Sequence, residues 1–245
     1  MHHVVTLTGV TKKYGDLVAL NDVTLGFPQG RFVAVMGPSG SGKSTLIQCA
    51  AALDRPTSGG VEIGGVDIGR LNETKRTILR RERVGFVFQS YNLLPAITVE
   101  ENLTLSLRLA GRRPDRAWIA ELVERVGLQD RLRHRPAELS GGQQQRAAIV
   151  RALAGRPDVV FADEPTGALD LRAAGQVLDL LRSLVDDLGQ TVVMVTHDPA
   201  AAARAHDALV MADGQVVDVL ATPTAQDLAT RLTQLAQIPA GSGAR

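Results

Sequence analysis

The sequence predicts an α/β fold in which parallel strands and helices surround a phosphate-binding loop, with an antiparallel β subdomain at the N-terminus and an all-helical insert. Three observations predict it. Residues 31–36, 84–88, 159–162 and 191–195 are short, nearly continuous apolar runs, the pattern of strands buried on both faces of a parallel sheet. Residues 4–10 and 22–27 alternate apolar and polar positions instead, as antiparallel strands with one wet face do. From Tyr91 to Ala137 the strand signals stop and helical ones take over.

The run 31–36 feeds Gly37-Pro38-Ser39-Gly40-Ser41-Gly42-Lys43-Ser44-Thr45, which matches G-x-x-x-x-G-K-[ST], with a helical stretch to Leu53 behind it. The glycines let consecutive N–H groups point inward. Lys43 adds a point charge for the β- and γ-phosphates, and the Ser44 hydroxyl can ligate Mg²⁺. Tyr14, after Lys12-Lys13, reads by itself as a strand-end aromatic. Its place ahead of a nucleotide loop makes a base-stacking role the better reading. Residues 54–71 read as short strands and turns, and 73–82 as a charged helix whose Lys75 to Arg83 run is a solvated face. Gln89 follows the 84–88 strand at the C-terminal edge, where open α/β sheets place ligand chemistry.

In the insert, one helix begins at Glu100, and Trp118, Ile119, Leu122, Val123 and Val126 form the apolar face of another that Gly127 stops. Trp118 belongs to that face as a core residue. Leu139-Ser140-Gly141-Gly142-Gln143 is a turn opening a helix, with no side chain larger than a hydroxyl over its free N–H groups, so an anion can approach closely. The run 159–162 ends in Asp163-Glu164; a carboxylate there suits the outer sphere of Mg²⁺, and its neighbour can orient a water. After the amphipathic stretch 171–188, the run 191–195 ends in Thr196-His197-Asp198, where His197 can meet phosphate or water. Residues 209–211 and 215–219 flank Asp213-Gly214 as a hairpin; the remainder is helical to Ile238, and 239–245 is a frayed tail.

Composition narrows the partners. Lys and Arg number 27 against 26 Asp and Glu, so no broad field attracts nucleic acid, and none is expected as a partner. Cys49, the single cysteine, reads as a small core residue in a reducing, cytoplasmic setting, and no leader-like segment precedes the first strand. No apolar run is long enough to span a membrane, so membrane work falls to a partner.

The order of these features resembles the nucleotide-binding subunit of ABC transporters over about residues 4 to 225: an aromatic, a phosphate loop, a strand-end Gln, a helical insert, Leu139-Ser140-Gly141-Gly142-Gln143, a strand-end Asp-Glu and a strand-end His. The resemblance implies the ABC ATPase fold as one domain over 1–245: a nucleotide-binding core with its β subdomain at 1–90 and 138–225, a helical subdomain at 91–137, and a C-terminal helix and tail at 226–245. It implies ATP as ligand, with Tyr14 on the adenine, the loop Gly37 to Thr45 around the triphosphate, Ser44 and Gln89 on Mg²⁺ with Asp163 behind them, Glu164 as general base and His197 on the γ-phosphate. It also implies a homodimer. Ser140, Gly141, Gly142 and Gln143 would close over ATP held by a second copy of the chain, and Asp170 would belong to a loop touching that copy. A separate membrane permease would hold the dimer at the inner face of the cell membrane, with Tyr91, Leu93, Leu94 and Ile97 as candidates for its docking, or else as insert core.

Residues 89–95 and 164–170 resemble the lipoprotein-release and macrolide-export branch, except that Ala168 stands where that branch commonly has Asn. Amino-acid importers share nearly every motif and are the alternative. A soluble, non-transport ABC ATPase would carry two such domains or a coiled coil, which this chain lacks. A silent regulatory module would lack the base, and Glu164 is present.

Overall fold

The computed structural model describes residues 2–236. Two sheets stack with helices around them. The first is four-stranded, in the order β2 (Leu17–Pro28), β1 (His3–Tyr14), β4 (Ser58–Ile63), β5 (Val66–Asp67), each neighbour antiparallel. The second is six-stranded, in the order β10 (Gln215–Ala221), β9 (Asp207–Ala212), β3 (Phe32–Met36), β8 (Thr191–Val195), β7 (Val159–Asp163), β6 (Val84–Val87). Five of its strands run parallel, and β10 returns antiparallel to β9.

The continuous apolar runs are explained by burial on both faces. Successive side chains point to opposite sides of a strand. Phe32, Ala34, Met36, Val160, Ala162, Val192 and Met194 enter one core, which includes the helical insert. Val33, Val35, Val159, Phe161, Val193 and Val195 enter the other, under β1, β4 and helix α1 (Lys43–Ala50). Cys49 lies in this second core, and burial pushes its thiol up to about 11.

The N-terminal hairpin is longer than its hydrophobic pattern indicates. Lys12, Lys13 and Tyr14, placed by sequence between two strands, extend β1 and pair with Leu20, Val18 and Leu17. Polar residues on an exposed ladder end carry no alternation, so periodicity missed them. The charged stretch forms α2 (Glu73–Arg83), in which Arg76 departs from the solvated face: its side chain is 8% exposed and bridges Glu73 at 2.5 Å.

After β6 the chain runs as turns and irregular backbone over 88–98, and from there to β7 its elements are helical: α3 (Val99–Leu109), α4 (Arg116–Arg125), single 3₁₀ turns at Gln129–Arg131 and Pro136–Glu138, and α5 (Gly141–Leu153). Thr98 starts α3 with a capping box to Glu101, one residue ahead of Val99, where the helix begins. Trp118 packs against the core and donates its Nε1 proton to Leu153 O at 3.0 Å, linking α4 to the end of α5. Helix α6 (Leu171–Leu188) stops at Gly189 in the left-handed conformation. After α7 (Pro199–Ala202) and the β9–β10 hairpin, α8 (Ala225–Ala236) ends the described chain. The expected last helical residues to Ile238 and the tail 239–245 lie outside the described residues.

Candidate functional site

The C-terminal ends of β3, β6, β7 and β8 lead into the phosphate loop, Gln89, Asp163-Glu164 and His197. The loop Gly37 to Gly42 connects β3 to α1, so Lys43, Ser44 and Thr45 form the first turn of a helix whose N-terminus faces the loop. Gly42 caps that helix at φ 96° and ψ 4°, and a Cβ there would meet Ala19 O at 2.3 Å. Only glycine fits both conditions. Pro38, Ser39, Gly40 and Ser44 are exposed, whereas Ser41 is buried and its Oγ finds no partner among the described residues. Lys43 folds over the loop and donates to Gly37 O at 2.9 Å and Pro38 O at 2.7 Å.

Beside the loop stand the two carboxylates. Burial, and then the neighbouring Glu164 charge, raise the Asp163 carboxyl above its ordinary value, with Lys43 opposing. Burial likewise lowers Lys43, while Glu164 and Asp163 support its charge. Glu164 lies in the left-handed region at φ 48°, a costly backbone for a residue with a side chain. Its N–H donates to Val195 O at 3.0 Å, which joins the tips of β7 and β8. His197, two residues past β8, brings Nδ1 to 2.9 Å from Glu164 Oε1. Gln89 is exposed beyond the end of β6 and leans on the loop after Glu164: a Cβ on Gly167 would lie 2.8 Å from its Nε2.

Four more of the expected residues are engaged within the chain. Tyr14 is 46% exposed. Its hydroxyl donates to Asp54 Oδ2 at 2.7 Å, and Lys12 donates to the other oxygen at 2.7 Å. Burial, then this carboxylate, push the phenol up to about 12. Asp170 caps α6, accepting from Ala173 N at 2.8 Å. Ser140 caps α5 in a reciprocal box: its Oγ accepts from Gln143 N at 3.3 Å, and Gln143 Oε1 accepts from Ser140 N at 2.9 Å. Gly141 and Gly142 form the first turn of α5, and a Cβ on them would meet Tyr91, Leu169 and Ala173. None of these belongs to the loop Gly37 to Thr45.

Three residues were overlooked in the sequence. Asp54 holds Tyr14, as above. Gln145 is fully buried on α5, and Arg151 on the same helix donates to Tyr91 O at 2.9 Å. Gln145 had a readable signal: it lies between Gly142 and Ile149 on the buried stripe of the helix, a polar residue in an apolar row.

The donor set of Ser44, Gln89 and Asp163 fits a hard divalent cation. It offers only oxygens, and few of them, as suits Mg²⁺, which keeps waters and takes phosphate oxygens. Among the described residues no group of three or more His, Cys, Asp or Glu is placed to hold a metal ion.

A family model described as ABC transporter matches residues 20–167, well over half of the chain. The chain belongs to the ABC transporter family. A macrolide export ATP-binding/permease protein MacB of Paracoccus denitrificans is 48% identical over 220 residues, covering 87% of this chain but 33% of that protein. The chain therefore spans about a third of the length of the MacB relatives it matches. A lipoprotein-releasing system ATP-binding protein LolD 1 of Rhodospirillum rubrum is 45% identical over 217 residues and is covered to 96% of its length. A solved dimeric ATP-binding cassette in a post-hydrolysis state, bound to ADP and Pi, superposes with a TM-score of 0.79 at 40% identity, covering 89% of this chain and 98% of that one. The ABC fold and ATPase class follow: this is an ABC-type ATPase cassette.

Proposed function

We propose that the chain hydrolyses ATP as half of an ATP-bridged homodimer that powers a separate membrane permease. The observation that carries this reading is the Glu164–His197 pair at 2.9 Å, at adjacent strand tips and electrostatically coupled to Lys43 through Asp163 and Glu164. In this reading the loop N–H groups and Lys43 hold the β- and γ-phosphates, with Lys43 exchanging the Gly37 and Pro38 carbonyls for phosphate oxygens. Tyr14 stacks on the base, and Asp54 fixes its ring.

Glu164 accepts a proton from water as the water oxygen bonds to the γ-phosphorus and the bond to the ADP oxygen breaks, giving ADP and phosphate. His197 holds the Glu164 carboxylate on one side and reaches the γ-phosphate on the other. Ser44 and Gln89, with Asp163 behind them, would hold Mg²⁺, which supplies charge neutralisation between the phosphates. A Cβ on Gly141 or Gly142 would meet Tyr91, Leu169 or Ala173 and nothing of the chain's own phosphate loop, which supports the turn's gripping the nucleotide of the second copy. ATP then favours the closed dimer by its difference in affinity between open and closed states, and hydrolysis removes that difference.

The MacB and LolD relatives support a permease of the macrolide-export or lipoprotein-release type. No described helix is long and apolar enough to cross a membrane, so attachment to the inner face of the membrane would run through the permease. A cleft of about 290 Å³ lined by Phe86, Phe88, Asn92, Ser106 and Arg151 is our candidate for receiving it.

The reading is tested with Glu164→Gln. Turnover should fall by about a hundredfold or more, the scale of a lost general base. ATP binding should persist, and size-exclusion chromatography with ATP should show a dimer. Full turnover would remove Glu164 from the mechanism.

A further inference from the structure

Helix α5 carries more than the Ser140 turn at its start. Gln145, fully buried, donates from Nε2 to Pro165 O at 2.7 Å and lies 3.5 Å from Phe88 O. Pro165 follows Glu164, and Phe88 precedes Gln89. Further along the same helix, Arg151 donates to Tyr91 O at 2.9 Å and also to Asn92 O. These loops hold three of the eight non-glycine residues at positive φ among the described residues: Glu164, Tyr91 and Asn92 lie at φ 48°, 60° and 51°. Such conformations persist only where surrounding contacts over-determine them. Donors from α5 reach the carbonyls at or next to all three.

Gln145 is also left incomplete, because its Oε1 is buried and meets no donor among the described residues. A buried acceptor without a partner counts against stability, so packing does not account for an amide at this position. What the amide contributes is its donor, aimed at the chain just after Glu164.

We propose that Gln145 is a positioning residue for hydrolysis. It ties the Ser140 turn, the Glu164 loop and the Gln89 loop into one body, so that closure of the turn on a nucleotide sets the base. The proposal rests on the reading of Glu164 as base.

Gln145→Met keeps length and volume while removing the donor. In the purified full chain it should lower kcat by about tenfold or more while leaving ATP affinity within about twofold. A double-mutant cycle supplies a readout that a merely structural role does not move. If Gln145 acts through Glu164, adding Gln145→Met to Glu164→Gln should lower the residual turnover no further. Two multiplying losses, or an unchanged kcat in Gln145→Met, would overturn the proposal while leaving Glu164 as base. Full turnover in Glu164→Gln alone would overturn the base reading instead. Should Gln145→Met fail to fold, Gln145→Asn, which withdraws the amide by one methylene, enters the same cycle with the same outcomes.

Discussion

His206 shows how one side chain fixes the edge of the core on which the site is built. Its Nδ1 accepts the Phe32 N–H at 3.0 Å at the start of β3, and its Nε2 faces Asp186 Oδ1 at 3.2 Å on α6. Accepting at Nδ1 requires the neutral ring. Burial, followed by the Arg182 and Arg31 charges, lowers the imidazole from its ordinary 6.5, with Asp186 and Asp207 opposing. A folded value below the unfolded one means that the unfolded chain binds the extra proton first. The contribution is thus fully present above about 6.5 and is lost as pH falls through the folded value. Thermal unfolding of the wild type between about pH 8 and pH 5 should therefore show a steeper acid loss than His206→Asn. Parallel loss in the two would mean that the ring does not titrate against the fold.

At the scale of elements, the caps separate architecture from chemistry. Asp170 was marked in the sequence as a residue of the dimer-facing loop; in the fold its carboxylate caps α6 by accepting from Ala173 N. Asp170→Ala should cost about 1 kcal/mol of stability, and Asp170→Ser should restore most of it, both read from denaturant midpoints. An undiminished midpoint in Asp170→Ala would leave the cap without energetic weight.

The same scale explains what was legible. The four buried strands and the loop Gly37 to Thr45 announce themselves because burial on both faces demands unbroken apolar runs, and each run ends where polar residues begin. The continuation of β1 through Lys12, Lys13 and Tyr14 was illegible, since its ladder is held by backbone pairing that leaves no trace in side-chain polarity. Residues that act on loops from a distance, such as Asp54 on Tyr14 and Arg151 on Tyr91, were equally hidden: the partner is a carboxylate or a carbonyl tens of positions away in the chain.

At the scale of the whole molecule, the proposed function divides the anion-binding equipment between two places. The loop Gly37 to Thr45 follows β3 as Asp163 ends β7, with Glu164 next, and His197 follows β8, and a Cβ in the Ser140 turn would meet Tyr91, Leu169 or Ala173 instead of that loop. In the proposed homodimer one copy would carry half of two sites, and turnover would require the pair. Cross-linking tests this most directly, because Cys49 is the single cysteine and lies buried, with its thiol pushed up to about 11. One chain carrying Ser39→Cys and another carrying Ser140→Cys, both in the Glu164→Gln background, should form a covalent dimer under mild oxidant only when mixed and only with ATP. Absence of the covalent dimer with ATP, or equal cross-linking without it, would contradict a site shared between two copies.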